Sequence, residues 1–302
     1  MRSIAILGPG GVGGFLAGAL ERAHISATLV AREATARAIA RGGLRIRSVR
    51  LGDFDARPAA VAGLAGPVDA LLVATKSTGL DAALDRVEGL EPRIVLPLLN
   101  GLDHLELLRS RFGALAVAGS IRIESTRPRT GEIEQTSPFL RVDMASAAAE
   151  MGGPMEELRA ALEAAGVPAR IMGSEAQAMW GKLVRLNAIA CATSAWDLSL
   201  GQIRDHPDRR ADLESAVREG AAVARAEGAS VDPADTLAEL DDAHGTLRTS
   251  MQRDIAAGRE PELDAIPGSV LRAAARHGLA CPTIERLAAI AARRAGVPAP
   301  MA

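Results

Sequence analysis

The sequence predicts an α/β first half followed by an all-helical second half, and three observations carry that prediction. Short apolar runs alternate with helical patterns up to about position 172, as βαβ units and a parallel sheet require. A glycine-rich turn, Gly8-Pro9-Gly10-Gly11-Val12-Gly13, stands between the first apolar run and the first helical pattern. Beyond Ser174, apolar residues recur at three- and four-residue spacing without strand-like alternation. At 302 residues the chain is long for one core and suits two domains, expected as 1–172 and 173–302.

Residues 3–7, Ser-Ile-Ala-Ile-Leu, read as a buried first strand, 11–23 as a helix and 27–30 as the second strand. Further strands are expected at 70–74, 94–98 and 116–118. The stretch 131–142 alternates polar and apolar residues, as an antiparallel element does; a helix at 156–165 and a strand at 169–172 follow. In the second half, helices are expected at 175–195, 208–227, 233–257, 266–277 and 283–294, the last opened by Pro282.

Composition removes several function classes. The net charge of -2 gives no electrostatic support for a nucleic-acid partner. Cys191 and Cys281 form no CxxC pair and suit a reducing compartment, and no metal site is expected. The N-terminus lacks a basic region followed by a long apolar one, and no run of about 18 apolar residues follows, so an untargeted cytoplasmic protein is expected, with no membrane partner. The ligand is expected to be a small molecule.

The glycine-rich turn fits GxGxxG in the context such a loop needs, immediately after a strand and opening a helix. Gly8 permits the turn, Gly10 lets backbone approach a pyrophosphate, and Gly13 lets helix and sheet pack closely; the helix N-terminus faces the anion. The first half is therefore a Rossmann-type dinucleotide-binding domain, with Gly8, Pro9, Gly10, Gly11, Val12 and Gly13 as cofactor contacts. Nineteen residues after Gly13, where an NAD enzyme carries an acid for the ribose 2′-hydroxyl, stands Arg32, which favours NADP. Glu33 is the alternative reader if the strand ends one residue later.

Of the 35 Lys and Arg residues only Lys76 and Lys182 are lysines, tyrosine is absent, and Asn100 and Asn187 are the sole asparagines. A GC-rich codon bias explains the trend and sharpens the question of why these survive. Arginine cannot lose its proton, whereas lysine can act as an acid. Lys76 and Asn100 each follow a strand, at the carboxyl end of the sheet where open α/β sheets bind ligands. Lys182 lies early in the first helix of the second domain, a position that faces an interdomain cleft in this plan. A ketone reductase needs an acid to protonate the developing alkoxide. Absence of tyrosine excludes tyrosine-dependent reductases, and none of the five histidines has a catalytic setting.

Together, Gly8-Pro-Gly-Gly-Val-Gly13, Lys76, Asn100-Gly101, Trp180-Gly-Lys182-Leu, Ser250-Met-Gln-Arg-Asp254 and Gly258-Arg-Glu-Pro-Glu262-Leu-Asp264 resemble the ketopantoate (2-dehydropantoate) 2-reductase family over nearly the whole chain. The resemblance implies an NADP-dependent reduction of 2-dehydropantoate to pantoate, and a homodimer. It implies Lys182 as general acid, Ser250 on the substrate carboxylate, and Glu262 near the nicotinamide ribose and Lys182. Arg32, Lys76, Asn100 and Ser125 would then contact the cofactor or order the site.

The chain also departs from the family. Two asparagines usually follow the catalytic lysine at plus four and plus eight; here those positions are Leu186 and Ala190, with Asn187 at plus five as the remaining substrate contact. The asparagine before the later glycine is Pro267, and Leu99 replaces a glutamine. These changes leave open a less polar ketone as substrate. An NADP-binding sensor protein without turnover is the alternative from another class; it would have no need of Lys182, Ser250 and Glu262.

Overall fold

The computed structural model describes residues 1–301. They form two compact units: Met1–Leu99 with His104–Ala178, and Asn100–Asp103 with the chain from Met179 onward.

In the first unit β1 (Ser3–Leu7) leads into α1 (Gly11–Arg22), β2 (Ser26–Val30) and α2 (Glu33–Gly42). There follow β3 (Leu44–Ser48), β4 (Phe54–Ala56), β5 (Ala59–Val61), β6 (Gly66–Val73), α3 (Leu80–Leu84), β7 (Leu90–Pro97) and α4 (His104–Phe112). The unit continues through β8 (Ala118–Arg122), β9 (Ser125–Thr126), β10 (Glu132–Gln135), β11 (Arg141–Ala145), α5 (Gly152–Ala164) and β12 (Ala169–Ile171). The main sheet is wholly parallel, in the order β5-β2-β1-β6-β7. Both of its faces are covered, which is why β1 is apolar at successive positions. Ile4 and Ile6 enter one core with Leu72, Ile94 and Leu96, while Ala5 and Leu7 enter a second with Leu71, Val73 and Val95.

A second sheet, β4-β3-β10-β9, packs on α1. The approach is close because α1 presents glycines to it. A Cβ on Gly14 would lie 2.4 Å from Ile133 Cδ1 of β10, and one on Gly18 would lie 1.9 Å from Ile46 Cδ1 of β3. The third sheet is β12-β11-β8.

The alternating stretch 131–142 is thus two strands in two sheets, and its pairing is mixed: β10 runs parallel to β3 and antiparallel to β9, whereas β11 runs antiparallel to β8 and parallel to β12. Between them Ser137 Oγ donates to the Phe139 carbonyl at 2.6 Å, a local side-chain bond that ends the ladder. The strand expected at 116–118 begins instead at Ala118, with Ala116 forming only a bridge to Val95.

The second unit is helical. It contains most of α6 (Glu175–Trp196), then α7 (Leu200–Asp205), α8 (Pro207–Ala226), α9 (Pro233–Asp242) and α10 (Ser250–Ala256). A π-helical turn at Asp264–Gly268 leads into α11 (Ser269–Arg276), and α12 (Pro282–Ala295) closes the chain. The single helix expected at 233–257 is two helices. The α9 end is held by Arg204, which donates to the carbonyls of Leu240 at 3.1 Å and Ala243 at 3.0 Å, and Thr249 caps a new start at α10. The division between units falls after Ala178, beyond the expected 172, because the first turn of α6 is bound to the first unit. Arg109 donates to Glu175 Oε1 at 2.6 Å, and Ser120 Oγ donates to the Ala178 carbonyl at 2.8 Å. Among the described residues no helix is long and apolar enough to cross a membrane.

The start of β1 is anchored by one carboxylate. Asp69 Oδ2 accepts from the backbone N–H of Arg2 at 2.6 Å and of Ser3 at 3.0 Å. These donors, Arg2 first and Ser3 second, hold the Asp69 carboxyl below its usual value of 3.8. A depressed acid contributes stability above its unfolded pKa and loses it as pH falls through the folded one. Asp69→Ala should therefore lower unfolding free energy by about 1–2 kcal/mol at pH 7. In denaturant titrations the difference should persist down to about pH 4 and shrink below it.

Candidate active site

The turn from Gly8 to Gly13 links the carboxyl end of β1 to α1, and its glycines do different work. Gly8 has φ +107, and a Cβ there would lie 2.8 Å from the Ala74 carbonyl oxygen beyond β6. A Cβ on Gly13 would lie 1.9 Å from the Gly8 carbonyl oxygen, and one on Gly11 would lie 2.3 Å from the carbonyl oxygen of Ser125. Gly10 is different: its nearest such neighbour is the Ala74 carbonyl oxygen at 3.9 Å. Three glycines are packed against protein and the fourth faces space, which is the cradle a pyrophosphate requires at a helix N-terminus. Beside Gly8, Thr75 carries a buried hydroxyl without a hydrogen-bond partner. These residues fit a dinucleotide.

Two side chains reach the loop from the second sheet. Ser125 Oγ donates to the Gly11 carbonyl at 2.9 Å, and Arg127 Nη1 donates to the Pro9 carbonyl at 3.0 Å. Ser125 was expected near the cofactor, and the structure places it on the loop backbone. Arg127 escaped sequence reasoning because the contact spans 118 positions, with no local motif to mark it. Arg32 stands exposed at the N-cap of α2, two residues past β2. Its neighbour Glu33 is paired with Arg37 one helical turn on. Lys76 is exposed at the start of the short turn after β6.

In the second unit a chain of polar contacts centres on Asn100. Lys182 Nζ donates to Asn100 Oδ1 at 2.8 Å, and Asn100 Nδ2 donates to Glu262 Oε2 at 3.0 Å. The amide is thereby oriented, with its oxygen toward the ammonium and its nitrogen toward the carboxylate. Glu262 is buried, at 7 % exposure, while Lys182 and Asn100 remain partly exposed. Asn100, expected among the cofactor contacts, thus joins the expected acid to the expected carboxylate.

The chain around Asn100 is held against the π-turn. Pro267 has no N–H, so the Leu263 carbonyl is taken one residue further on by Gly268, at 3.0 Å, which widens the helix. Gly101, at φ +86, sits on that turn so closely that a Cβ would lie 2.0 Å from the Ala265 carbonyl oxygen. Arg272 donates to Asp103 at 2.6 Å and to Asp264 at 2.8 Å, tying the far end of the segment to the same turn. Arg272 and Asp103 were not singled out from sequence; the only hint was proline where a helix pattern began.

Asn187, expected as a substrate contact, stands apart from this cluster. Five residues past Lys182 is about 140° around a helix. The side chain is fully buried, with its Oδ1 accepting from the Cys191 thiol at 3.5 Å and its Nδ2 unpartnered. Ser250 is exposed at the first position of α10. The N-cap beside it, Thr249, is bonded to Thr193 of α6 at 3.0 Å.

A dinucleotide loop on a parallel sheet, with a lysine, amide and carboxylate cluster on a helical unit, defines the class of nicotinamide-dependent oxidoreductases. The particular family follows from comparison. The family described as Ketopantoate reductase PanE/ApbA matches residues 4–147, and its C-terminal counterpart matches residues 176–300. A 2-dehydropantoate 2-reductase of Caulobacter vibrioides is 31% identical over 303 residues, covering 96% of this chain and 98% of the relative. An uncharacterized oxidoreductase, YkpB of Bacillus subtilis, is 30% identical over 291 residues, covering 93% and 94%. The crystal structure of 2-dehydropantoate 2-reductase from Geobacter metallireducens superposes with a TM-score of 0.89 at 28% identity, covering 96% of this chain and 99% of that one. The chain belongs to the ketopantoate reductase family, whose members are NADP-dependent oxidoreductases acting on a CH–OH group.

The loop predicts a contrast between two substitutions. Gly10→Ala should leave the thermal midpoint close to the parent's and weaken NADPH binding at least tenfold, since the new methyl occupies the open cradle. Gly13→Ala should lower the midpoint itself, because backbone blocks its methyl. Thermal unfolding with and without NADPH separates the two.

Proposed function

We propose that the protein reduces a 2-keto acid to the 2-hydroxy acid with NADPH, Lys182 supplying the proton. The observation that carries this reading is the Lys182–Asn100–Glu262 chain, at 2.8 and 3.0 Å.

The residues that would hold the cofactor are the Gly8–Gly13 loop, for the pyrophosphate, and Arg32 and Lys76, for the adenosine side and its 2′-phosphate. When bound, NADPH supplies the hydride. Lys182 donates its proton to the carbonyl oxygen as negative charge develops there. The hydrogen bond to the Asn100 carbonyl oxygen fixes the direction of the ammonium. Glu262 holds the other end of that amide, so Asn100 cannot rotate without leaving a buried carboxylate short of a donor. Ser250, exposed at the start of α10, is assigned to the substrate carboxylate. The relatives named 2-dehydropantoate 2-reductase make 2-dehydropantoate the reference substrate for assay. A homodimer working in the cytoplasm is the expected setting.

Lys182→Ala should reduce kcat by about 10²–10⁴-fold, the range of a lost general acid, while the NADPH dissociation constant stays within about twofold. Retained turnover, followed as NADPH absorbance, would remove Lys182 from the mechanism. Arg32→Ala should narrow the preference for NADPH over NADH by about tenfold or more, read as the ratio of the two kcat/KM values.

A further inference from the structure

We infer that Arg127 is a positioning residue for the diphosphate of the nicotinamide dinucleotide: from the Pro9 carbonyl it aims and polarises the Gly10 N–H, a group that meets the diphosphate. The inference rests on the dinucleotide reading of the loop and adds a charged residue from outside the loop's motif.

The N-terminus of α1 has no neutralising group of its own. Gly10 caps it without a side chain, and the first turn carries no acid. The first intrahelical bond runs from the Gly14 N–H to the Gly10 carbonyl, at 2.9 Å. The N–H groups that precede Gly14 are therefore the donors that a helix start presents to an anion. No residue from Gly8 to Gly13 is charged. Charge reaches the loop from the residue after β9, where Arg127 Nη1 donates to the Pro9 carbonyl at 3.0 Å.

The oxygen that Arg127 binds and the Gly10 N–H belong to one peptide group. In a trans peptide the two point in opposite directions, so a guanidinium on the oxygen also fixes the direction of the N–H. A cation on the oxygen draws electron density along the amide and strengthens the N–H as a donor. Among the described residues Arg127 is exposed and pairs with no carboxylate, whereas Arg129, two positions on, is bonded to Glu132 at 3.2 Å. The Arg127 charge would stand about 8 Å from an anion oxygen on the Gly10 N–H, which is about one screening length at physiological salt.

NADPH and NADH share the diphosphate, so Arg127 should act on both alike, unlike Arg32, which is assigned to the 2′-phosphate alone. The test is calorimetric titration of the full-length protein with each nucleotide, for the parent, Arg127→Met and Arg127→Lys. Methionine keeps an extended side chain without the charge; lysine keeps the charge. Arg127→Met should weaken both nucleotides by about 5–20-fold and by a common factor, leaving their ratio within about twofold of the parent's. Arg127→Lys should bind within about threefold of the parent. The deficit of Arg127→Met should shrink as KCl is raised from about 0.05 to 0.5 M, since salt screens the charge that was removed. In turnover the deficit should fall on the KM for NADPH, with kcat at saturating nucleotide within about twofold of the parent's.

Parent-like binding by Arg127→Met, binding by Arg127→Lys as weak as that of Arg127→Met, or unequal losses for NADPH and NADH would each overturn this inference and leave the dinucleotide reading standing. A parent protein that binds neither nucleotide overturns both. If Arg127→Met fails to fold, the neutral Arg127→Gln takes its place in the same comparison.

Discussion

The first unit depends on a helix that its neighbours approach closely because it lacks side chains where it is approached. Gly11, Gly14 and Gly18 of α1 are spaced so that β9, β10 and β3 each come within a distance that a Cβ would forbid, and Gly13 does the same for the loop beneath it. The helix N-terminus that would hold a pyrophosphate is therefore set by backbone packing on both flanks. Ser125 and Arg127 complete the arrangement by taking the Gly11 and Pro9 carbonyls, which leaves the loop's N–H side to face an anion. The same missing Cβ atoms serve folding and binding, and only at Gly10 are the two separable.

In the second unit the corresponding element is Asn100. A single amide joins a cation and an anion only if its ends are correctly assigned, and the segment carrying it is pinned at Gly101 by the π-turn and at Asp103 by Arg272. The π-turn follows from Pro267: a missing N–H shifts one hydrogen bond along the chain, widens the helix and forms the seat on which the Asn100 turn rests. Glu262 lies just before that widened turn. The residue that departs from the family pattern at 267 thus shapes the surroundings of the site without being in contact range of it by sequence.

Much of this was legible in the sequence, for local reasons. The β1–loop–α1 unit declares itself because its glycines, strand and helix are contiguous, and Lys182 stands out because bias had removed almost every other lysine. Arg127 and Arg272 were invisible, since their partners Pro9 and Asp103 are more than a hundred positions away and nothing in a short window distinguishes them from solvated arginines. The burial of Asn187 was not legible either: plus five is close in sequence to plus four but stands about 100° further round α6, on a buried side. The break between α9 and α10 was hidden because apolar spacing runs through it, while the carbonyls that end α9 are bound by Arg204 from α7.

The scarcity of lysine has a chemical consequence of its own. Beyond the terminal amine the protein offers amine-directed reagents just two targets, Lys76, exposed beside the dinucleotide loop's sheet, and Lys182, half-buried and bonded to Asn100. Its thiols are poorly reactive alternatives, with burial pushing Cys191 up to about 12 and Cys281 up to about 11. Side-chain acylation at neutral pH is thereby confined to Lys76 and Lys182, one in each of the two units, so peptide mapping of the modified lysine reports which unit was accessible.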